Sequence, residues 1–346
     1  MSRDVVRITG VALALAMLAL ALLAAILAAG GYDVPVALTA LVRGAVGTSD
    51  AVWSATLVRA TPLLITGLAI TLAFRAGVLN IGAEGQLLVG AAAATAVGLA
   101  WHGPALLVVS AVLVAGIVAG GLWAAIAAVL KLRFGVLEVI STLMLNFVAQ
   151  YLLGWLVRGP MQEPTHIYPQ SATLDAVARL PVVVAGSRLH AGFLLALVLA
   201  GVLALVLERT AAGFRVRVVG ASPTAAESAG RIDASRVAFG AFVVSGALAG
   251  LAGAVEVGGV TFALYENISP GYGFSAIAVA LLARLHPLGV VATAILFGAL
   301  EAGGVAMQRD AGVPSVVVSV VEAVLILMVV AADRWRSRRV AAQAGT

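Results

Sequence analysis

Apolar runs of about twenty residues, separated by short polar stretches, follow one another along almost the whole chain. A helix needs about 20 consecutive apolar residues to cross the hydrocarbon core of a bilayer. We therefore predict an all-α, polytopic membrane protein with about ten transmembrane helices, in a range of about eight to ten, forming a single domain over residues 1–346. The predicted spans are residues 8–30, 57–74, 86–101, 104–130, 135–157, 191–207, 237–257, 288–304 and 314–332, with a shorter piece at 274–283.

The piece at 274–283 is too short to cross a membrane. Ten residues of α-helix extend about 15 Å, whereas the hydrocarbon core is about 30 Å thick. Backbone that is not helical at this depth occurs only inside protein or beside a water-filled cavity. We predict a broken or half helix near 274–287 that lines a solute path, with Phe274 and Ser275 as candidate path residues. The alternative is a short, tilted helix followed by a turn at Pro287.

Basic residues gather at alternate ends of the predicted spans. Arginine and lysine are favoured in cytoplasmic loops. An N-terminus inside, with an even number of spans, places most of the 21 basic residues on the cytoplasmic side. Both termini are therefore predicted to be cytoplasmic, and residues 31–56 and 158–190 become long outer loops.

The largest basic loop, residues 208–236, is a polar island between two apolar runs. Ser222 fits a helix N-cap, Pro223 the first helical position and Gly230 a helix stop. We predict one or two short helices across the cytoplasmic end of the bundle, where a soluble motor protein would dock. The alternative is a solvated connection that only follows the charge rule.

A second polar stretch, residues 75–90, falls where a span should begin. Asn80, Glu84 and Gln86 lie there, and unpaired polar groups at membrane depth cost several kcal/mol. They must meet one another, water or a solute, so we assign them to the substrate path together with Asn146 of a later span. The alternative is that Asn80 and Glu84 only cap a broken helix.

Further acidic residues fall within predicted spans, where each is a candidate functional group. For two of them, Glu138 and Glu322, a hydrogen bond between helices is the favoured role. The set is Glu138, Glu256, Glu301 and Glu322.

Glycines four residues apart occur on two of the spans. Small residues at this spacing let helices approach closely, which is packing rather than chemistry. The pairs are Gly116 with Gly120 and Gly246 with Gly250.

Composition narrows the function classes. The chain is 62% hydrophobic and 11% charged, with a mean hydropathy of +1.10, more apolar surface than a soluble domain of 346 residues could bury. The net charge of +5 is spread over span ends, so no nucleic-acid partner is predicted. The chain lacks cysteine, which excludes disulfides and thiolate metal sites.

Enzyme motifs are absent from the sequence. The chain has one lysine, Lys131, and no G-x-x-x-x-G-K-[ST], so no P-loop is available for ATP. HExxH and G-x-S-x-G motifs are missing, and no histidine pair has metal-ligand spacing. We predict no catalytic residue, no metal site and no cofactor bound by this chain, and a membrane enzyme is disfavoured.

Four blocks of the sequence resemble permease subunits of bacterial ABC importers for branched-chain amino acids, simple sugars and nucleosides. Residues 80–86, NIGAEGQ, resemble the signature of that group, and residues 141–146, STLMLN, resemble its nucleoside branch, which includes guanosine and other purine nucleosides. Ser275 and the Leu285-His286 pair depart from that branch, which leaves the solute open. The four blocks are residues 75–90, 141–160, 208–230 and 271–289.

The resemblance implies a non-catalytic permease that forms the path for a small polar solute, a nucleoside first and a simple sugar as the alternative. It implies location in the bacterial plasma (inner) membrane, in contact with lipid. Its implied partners are ATPase subunits that carry ATP and Mg²⁺, a second permease subunit, identical or different, and an external solute-binding protein. Residues 208–236 would be the coupling segment, with contacts from Glu208, Arg209, Thr210, Gly213, Arg215, Arg217, Gly220, Ala225, Ala226 and Gly230.

An ion-coupled secondary transporter remains a rival class. Glu84, Glu256 and Glu301 would then carry the proton or sodium ion. No second acidic residue stands beside any of them in the sequence, which weakens this alternative.

Overall fold

Helices dominate the computed structural model, which describes residues 21–230, 232–314, 316, 317, 319, 320 and 323. Within these residues there is no β-strand, only two isolated bridges, Gln170 with Tyr265 and Val182 with His190. The all-α prediction is confirmed. The α-helices are α1 (Val34–Val46), α2 (Leu57–Arg75), α3 (Ala83–Ala100), α4 (Ala105–Phe134), α5 (Glu138–Arg158), α6 (Ala191–Arg209), α7 (Ala211–Ala221), α8 (Pro223–Gly230), α9 (Ala234–Glu256), α10 (Tyr272–Leu282) and α11 (Pro287–Ala311).

Seven of the described helices are long and apolar enough to cross a membrane, so the chain is a multi-pass membrane protein. They are Ala51–Arg75, Ala83–Ala100, Ala105–Phe134, Glu138–Arg158, Ala191–Arg209, Ala234–Thr261 and Pro287–Ala311. The first extends α2 backwards by a π-helical stretch, Ala51–Thr56, and the sixth extends α9 forwards by another, Val257–Thr261. Most of the predicted spans 8–30 and 314–332, with Glu322, lies outside the described residues.

The expected outer loop at 31–56 is wrong in detail, because α1 lies within it. Asp33 caps this helix: its Oδ1 accepts a hydrogen bond from the Val36 amide at 3.0 Å. Pro35 stands in the first turn, where its fixed φ favours a helix start. The 13 residues are too few to span the bilayer, so span length alone did not reveal them.

The chain divides into two compact units, Ala60–Ile295 and the described part of Met1–Arg59 with Leu296–Thr346. In the flanking unit, Leu23, Leu27, Ala37 and Met307 belong to one buried apolar cluster.

Three helices form the centre of Ala60–Ile295: α3, α4 and α9 pack against one another. Where α4 meets α9, a Cβ on Gly250 would overlap the Gly116 carbonyl oxygen, and a Cβ on Gly120 would overlap that of Gly246. The backbones therefore touch directly, and the predicted role of the two glycine pairs is confirmed. This arrangement, which we call the glycine contact, holds α9 directly against α4.

Candidate functional site

The Asn80 side chain is completely buried in the turn between α2 and α3. Its Nδ2 donates hydrogen bonds to Gln86 Oε1 at 2.9 Å and to Ser245 Oγ at 2.8 Å. Its Oδ1 accepts from the Gly82 amide at 3.1 Å and from Gln86 Nε2 at 3.0 Å. These four bonds use both donors and both acceptor positions of the amide. In this arrangement Asn80 has no hydrogen-bonding capacity left for a solute.

Ser245 connects this amide network, which consists of Asn80, Gln86 and Ser245, to a third helix. Its hydroxyl donates to the Ala69 carbonyl oxygen at 2.7 Å, so α2, α3 and α9 meet here. Sequence reasoning did not select Ser245. The available signal was that it is the only neutral polar side chain between residues 237 and 257.

Asn146 comes from α5 and meets the beginning of α3. Its Oδ1 accepts from the Gly85 amide at 2.8 Å, and its Nδ2 donates to the Ile81 carbonyl at 3.0 Å. The first amides of a helix have no partner within the helix, and Gly82 at the N-cap has no side chain to supply one. A neighbouring helix therefore caps α3 from the side, through a largely buried amide.

Glu84 reaches from the first turn of α3 to the beginning of α10. Its Oε2 accepts from the Gly273 amide at 2.7 Å, and the Ser269 side chain also hydrogen-bonds the carboxylate. Ser269 Oγ in turn accepts from the amides of Gly271, at 3.1 Å, and Tyr272, at 3.0 Å. A carboxylate at a helix N-terminus is favoured by the helix dipole. The short helix α10 is thus held at its start by a buried acid and a serine.

The two candidate path residues of α10 stand apart from these contacts. Phe274 is 47% exposed and Ser275 is half-buried, whereas Gly273 and Ala276 face the protein interior. The structure therefore brings Asn80, Gln86, Glu84 and Asn146 together around the start of α3, and leaves Phe274 and Ser275 on another face of α10.

The coupling segment, residues 208–236, contains the two short helices α7 and α8, as predicted. Thr210 caps α7, because its Oγ1 accepts from the Gly213 amide at 3.1 Å. Ser222 caps α8 by accepting from the Ala225 amide at 3.2 Å, and Pro223 begins that helix. Arg231 lies outside the described residues.

Ala226 packs against this chain, so the expectation that it contacts a partner needs correction. It is 1% exposed and forms a buried cluster with Val219 and Ala234. Among the other residues that we expected to contact a partner, Glu208, Arg209, Arg215, Gly220 and Ala225 are exposed, while Arg217 is half-buried.

The coupling segment touches the membrane helices at two turns. At the first, Gly220 lies so close to Arg75 that a Cβ would overlap the Arg75 carbonyl oxygen, and Gly77 follows at φ +75°. At the second, Glu208 Oε1 lies 3.0 Å from His286 Nε2, just after α10.

A further hydrogen bond joins these two turns. Arg75 Nε donates to the Leu285 carbonyl at 2.9 Å. Arg284 and Leu285 both have positive φ, at 53° and 55°, a conformation that costs non-glycine residues about 1–2 kcal/mol. The coupling segment therefore contacts the turn that precedes α3 and the residue that precedes α11.

The other acidic residues of the spans have different surroundings. Glu138 begins α5 and pairs with Lys131 at 2.8 Å, so it lies at a helix end rather than at depth. Glu256 is buried at the end of α9. Glu301, in the flanking unit, is half-buried.

Comparisons with known proteins agree with this architecture. Residues 52–331 match the family described as branched-chain amino acid transport system, permease component. A guanosine ABC transporter permease protein of Bacillus subtilis is 39% identical over 317 residues, 90% of each chain. A glucose ABC transporter permease protein of Haloferax volcanii is 38% identical over 82% of this chain and 77% of its own length. A nucleoside ABC transporter permease protein of Lactococcus lactis is 32% identical over 78% and 76%.

No solved structure matches the chain. The family match covers most of the sequence, including the amide network and the coupling segment. The chain therefore belongs to the branched-chain amino acid transport system permease family and is a permease of an ABC transporter.

Proposed function

We propose that this permease forms the translocation path of an ATP-driven importer for nucleosides, purine nucleosides such as guanosine above all. The observation that carries the proposal is the 39% identity to a guanosine permease over 90% of both chains. A nucleoside is neutral and polar, so its path needs hydrogen-bonding groups rather than fixed charge. A simple sugar is the second candidate, because a glucose permease is 38% identical to the chain.

The partners follow from this proposal. ATPase subunits that bind ATP and Mg²⁺ dock on the coupling segment, a second permease subunit completes the path, and an external binding protein delivers the solute. The assembly lies in the bacterial inner membrane with both termini of this chain in the cytoplasm. The concentration of arginine in residues 208–236 supports this orientation.

Closure of the ATPase dimer moves the coupling segment. Two contacts of that segment transmit the movement to the membrane helices. Gly220 pushes on the Arg75–Gly77 turn, which leads to the amide network and the start of α3. Glu208 acts on His286, which follows α10. The first contact acts on α3 and the second on α10, and these two helices are joined where Glu84 of α3 binds the start of α10. The permease itself breaks no bond, and its task is to open the path to each side in turn.

Uptake by the complete transporter tests the proposal. The chain is expressed with its ATPase, second permease and binding protein in a host that lacks nucleoside import, and labelled guanosine and glucose are offered at equal concentration. Guanosine is expected to accumulate, and accumulation is expected to stop when the P-loop lysine of the ATPase is replaced. Accumulation of glucose alone would favour the sugar alternative. Uptake that continues without ATP hydrolysis would instead support an ion-coupled transporter.

A further inference from the structure

An open cleft of about 570 Å³ lies along the second half of α5. Its walls carry three aromatic side chains, an amide and an ion pair. The residues are Phe147, Gln150, Tyr151, Trp155, Arg158 and Glu266. We call it the aromatic cleft.

The face of α5 that carries the aromatic cleft is not suited to lipid. Gln150 is exposed, and its side chain makes no hydrogen bond with any residue that the structure describes. It stands eight residues before Arg158, the last residue of α5, or about 12 Å at the rise of an α-helix. An amide at that depth would lose several kcal/mol of hydration if it faced hydrocarbon. Water, solute or protein must therefore meet this face.

The mouth of the cleft is built around an ion pair. Arg158 Nη2 lies 2.6 Å from Glu266 Oε2, and both side chains remain partly exposed. Gly154 makes room for the acid, since a Cβ there would lie 3.3 Å from Glu266 Oε1. The pair has no net charge, yet it offers donors and acceptors to a neutral, hydroxyl-bearing molecule.

The wall of the cleft has the chemistry that a planar heterocycle requires. Phe147, Tyr151 and Trp155 follow one another at intervals of four residues and therefore form one stripe along the helix. Aromatic side chains stack on nucleobases, and each base has a π-face. Gln150 stands beside the stripe with an amide that can donate to and accept from the edge of a base.

We infer that the aromatic cleft binds the nucleoside during its passage, an inference that rests on the proposed function. The base stacks on the stripe of Phe147, Tyr151 and Trp155, and its edge hydrogen-bonds Gln150. The ribose hydroxyls lie toward the Arg158–Glu266 pair. On the buried side of α5, Asn146 caps α3, so a single helix carries the solute on one face and the amide contacts to the bundle on the other.

Photolabelling of the complete transporter tests the location. Complexes with their binding protein are irradiated with 8-azidoguanosine, and the labelled peptide is identified by mass spectrometry. We expect label within residues 147–158, suppressed by excess guanosine but not by glucose. Label elsewhere, or label at 147–158 that guanosine does not suppress, would overturn the inference.

Two pairs of variants test the roles of the side chains. Gln150→Leu removes the amide and is expected to lower guanosine uptake at least tenfold, whereas Val148→Leu, at an exposed position of α5 outside the cleft, leaves uptake unchanged. Tyr151→Ala is expected to raise the guanosine concentration for half-maximal uptake about tenfold, and Tyr151→Phe to preserve it, because stacking needs only the ring. Guanosine binding to the external protein and co-purification of the ATPase should stay at wild-type levels in all four.

The outcomes separate this inference from the proposed function. If the wild-type transporter accumulates no nucleoside, the proposed function fails and the inference fails with it. If the wild type accumulates guanosine and both Gln150→Leu and Tyr151→Ala do so equally, only the inference is overturned. Quantitative disulfide cross-linking of Tyr151→Cys to a cysteine introduced in a neighbouring permease subunit, formed with an added oxidant and with normal uptake, would likewise overturn it, because the cleft would then be a subunit interface.

Discussion

Asn80 and Asn146 each hydrogen-bond backbone groups that a broken helix leaves without partners. The sequence alone predicts that both are polar side chains at membrane depth that need hydrogen-bond partners. It could not show whether they meet a solute or the backbone, because an amide suits either. The decisive partner of Asn80 is Ser245, 165 residues away, and contacts at that separation are set by tertiary packing rather than local pattern.

His190 makes the stability of the protein depend on pH. It is 1% exposed, its Nδ1 accepts from the Gly192 amide at 3.2 Å, and its Nε2 is buried without a partner among the described residues. Burial, and then the charge of Arg188, lower the pKa of His190 to about 4. The unfolded chain, with a pKa of about 6.5, therefore binds a proton that the folded chain excludes. We expect the contribution of His190 to stability to be full above about pH 6.5 and to fall by up to about 1.4 kcal/mol per pH unit down to about pH 4.

Thermal inactivation of the detergent-solubilised transporter measures this effect. His190→Asn retains a side-chain acceptor for the Gly192 amide but does not titrate. The variant should therefore lose the part of the pH dependence that lies between about pH 6.5 and 4, while other groups contribute equally to both proteins. Equal slopes for wild type and variant across that interval would contradict the assignment.

The coupling segment is the element whose local structure the sequence predicted well. Capping residues are local signals, and the predicted cap Ser222 and first residue Pro223 do stand at the start of α8. Thr210, which was not predicted as a cap, stands at the start of α7. The orientation of α8 could not be predicted in the same way. Its eight residues include small side chains on every face, so no apolar stripe indicated that Ala226 faces inward while Ala225 faces outward.

Gly220 is expected to be essential for coupling. A methyl group there would overlap the Arg75 carbonyl oxygen and force α7 away from the turn that leads to α3. Gly220→Ala should reduce uptake at least tenfold while the ATPase still co-purifies, because the exposed face of the segment is unchanged. The matched control is Gly240→Ala, where an added Cβ meets no described atom within 4 Å. Transport by Gly220→Ala at the rate of Gly240→Ala would show that this contact does not carry the motion.

Across the whole molecule, hydrophobic length predicted the described spans, because crossing a bilayer imposes a minimum run of apolar residues. Helices too short to cross the bilayer could not be predicted from apolar length. The helix α1 fell within a stretch that we expected to be a loop, and its signal was the cap at Asp33 rather than its length. The packing of α3, α4 and α9 also lay beyond the sequence pattern, since all three are apolar over most of their surface.

The orientation of the whole chain is testable because it contains no cysteine. Thr224→Cys in α8 and Tyr168→Cys in the loop between α5 and α6 are both exposed positions. An impermeant maleimide should label position 168 in intact cells and position 224 only after the membrane is opened. The positive-inside preference gives the physical reason. Labelling of position 224 in intact cells would reverse the topology and remove the coupling segment from the ATPase side.

The glycine contact between α4 and α9 changes how failed variants of this permease should be interpreted. Any replacement of Gly116, Gly120, Gly246 or Gly250 adds at least a methyl group between two backbones that already touch. Such overpacking costs about 1–3 kcal/mol or more, and no rotamer can relieve it because the obstacles are main-chain atoms and alanine Cβ atoms. These four positions are thus intolerant of replacement although they carry no side chain that could bind a solute. A transport-negative variant at one of them reports a displaced helix rather than a lost solute contact.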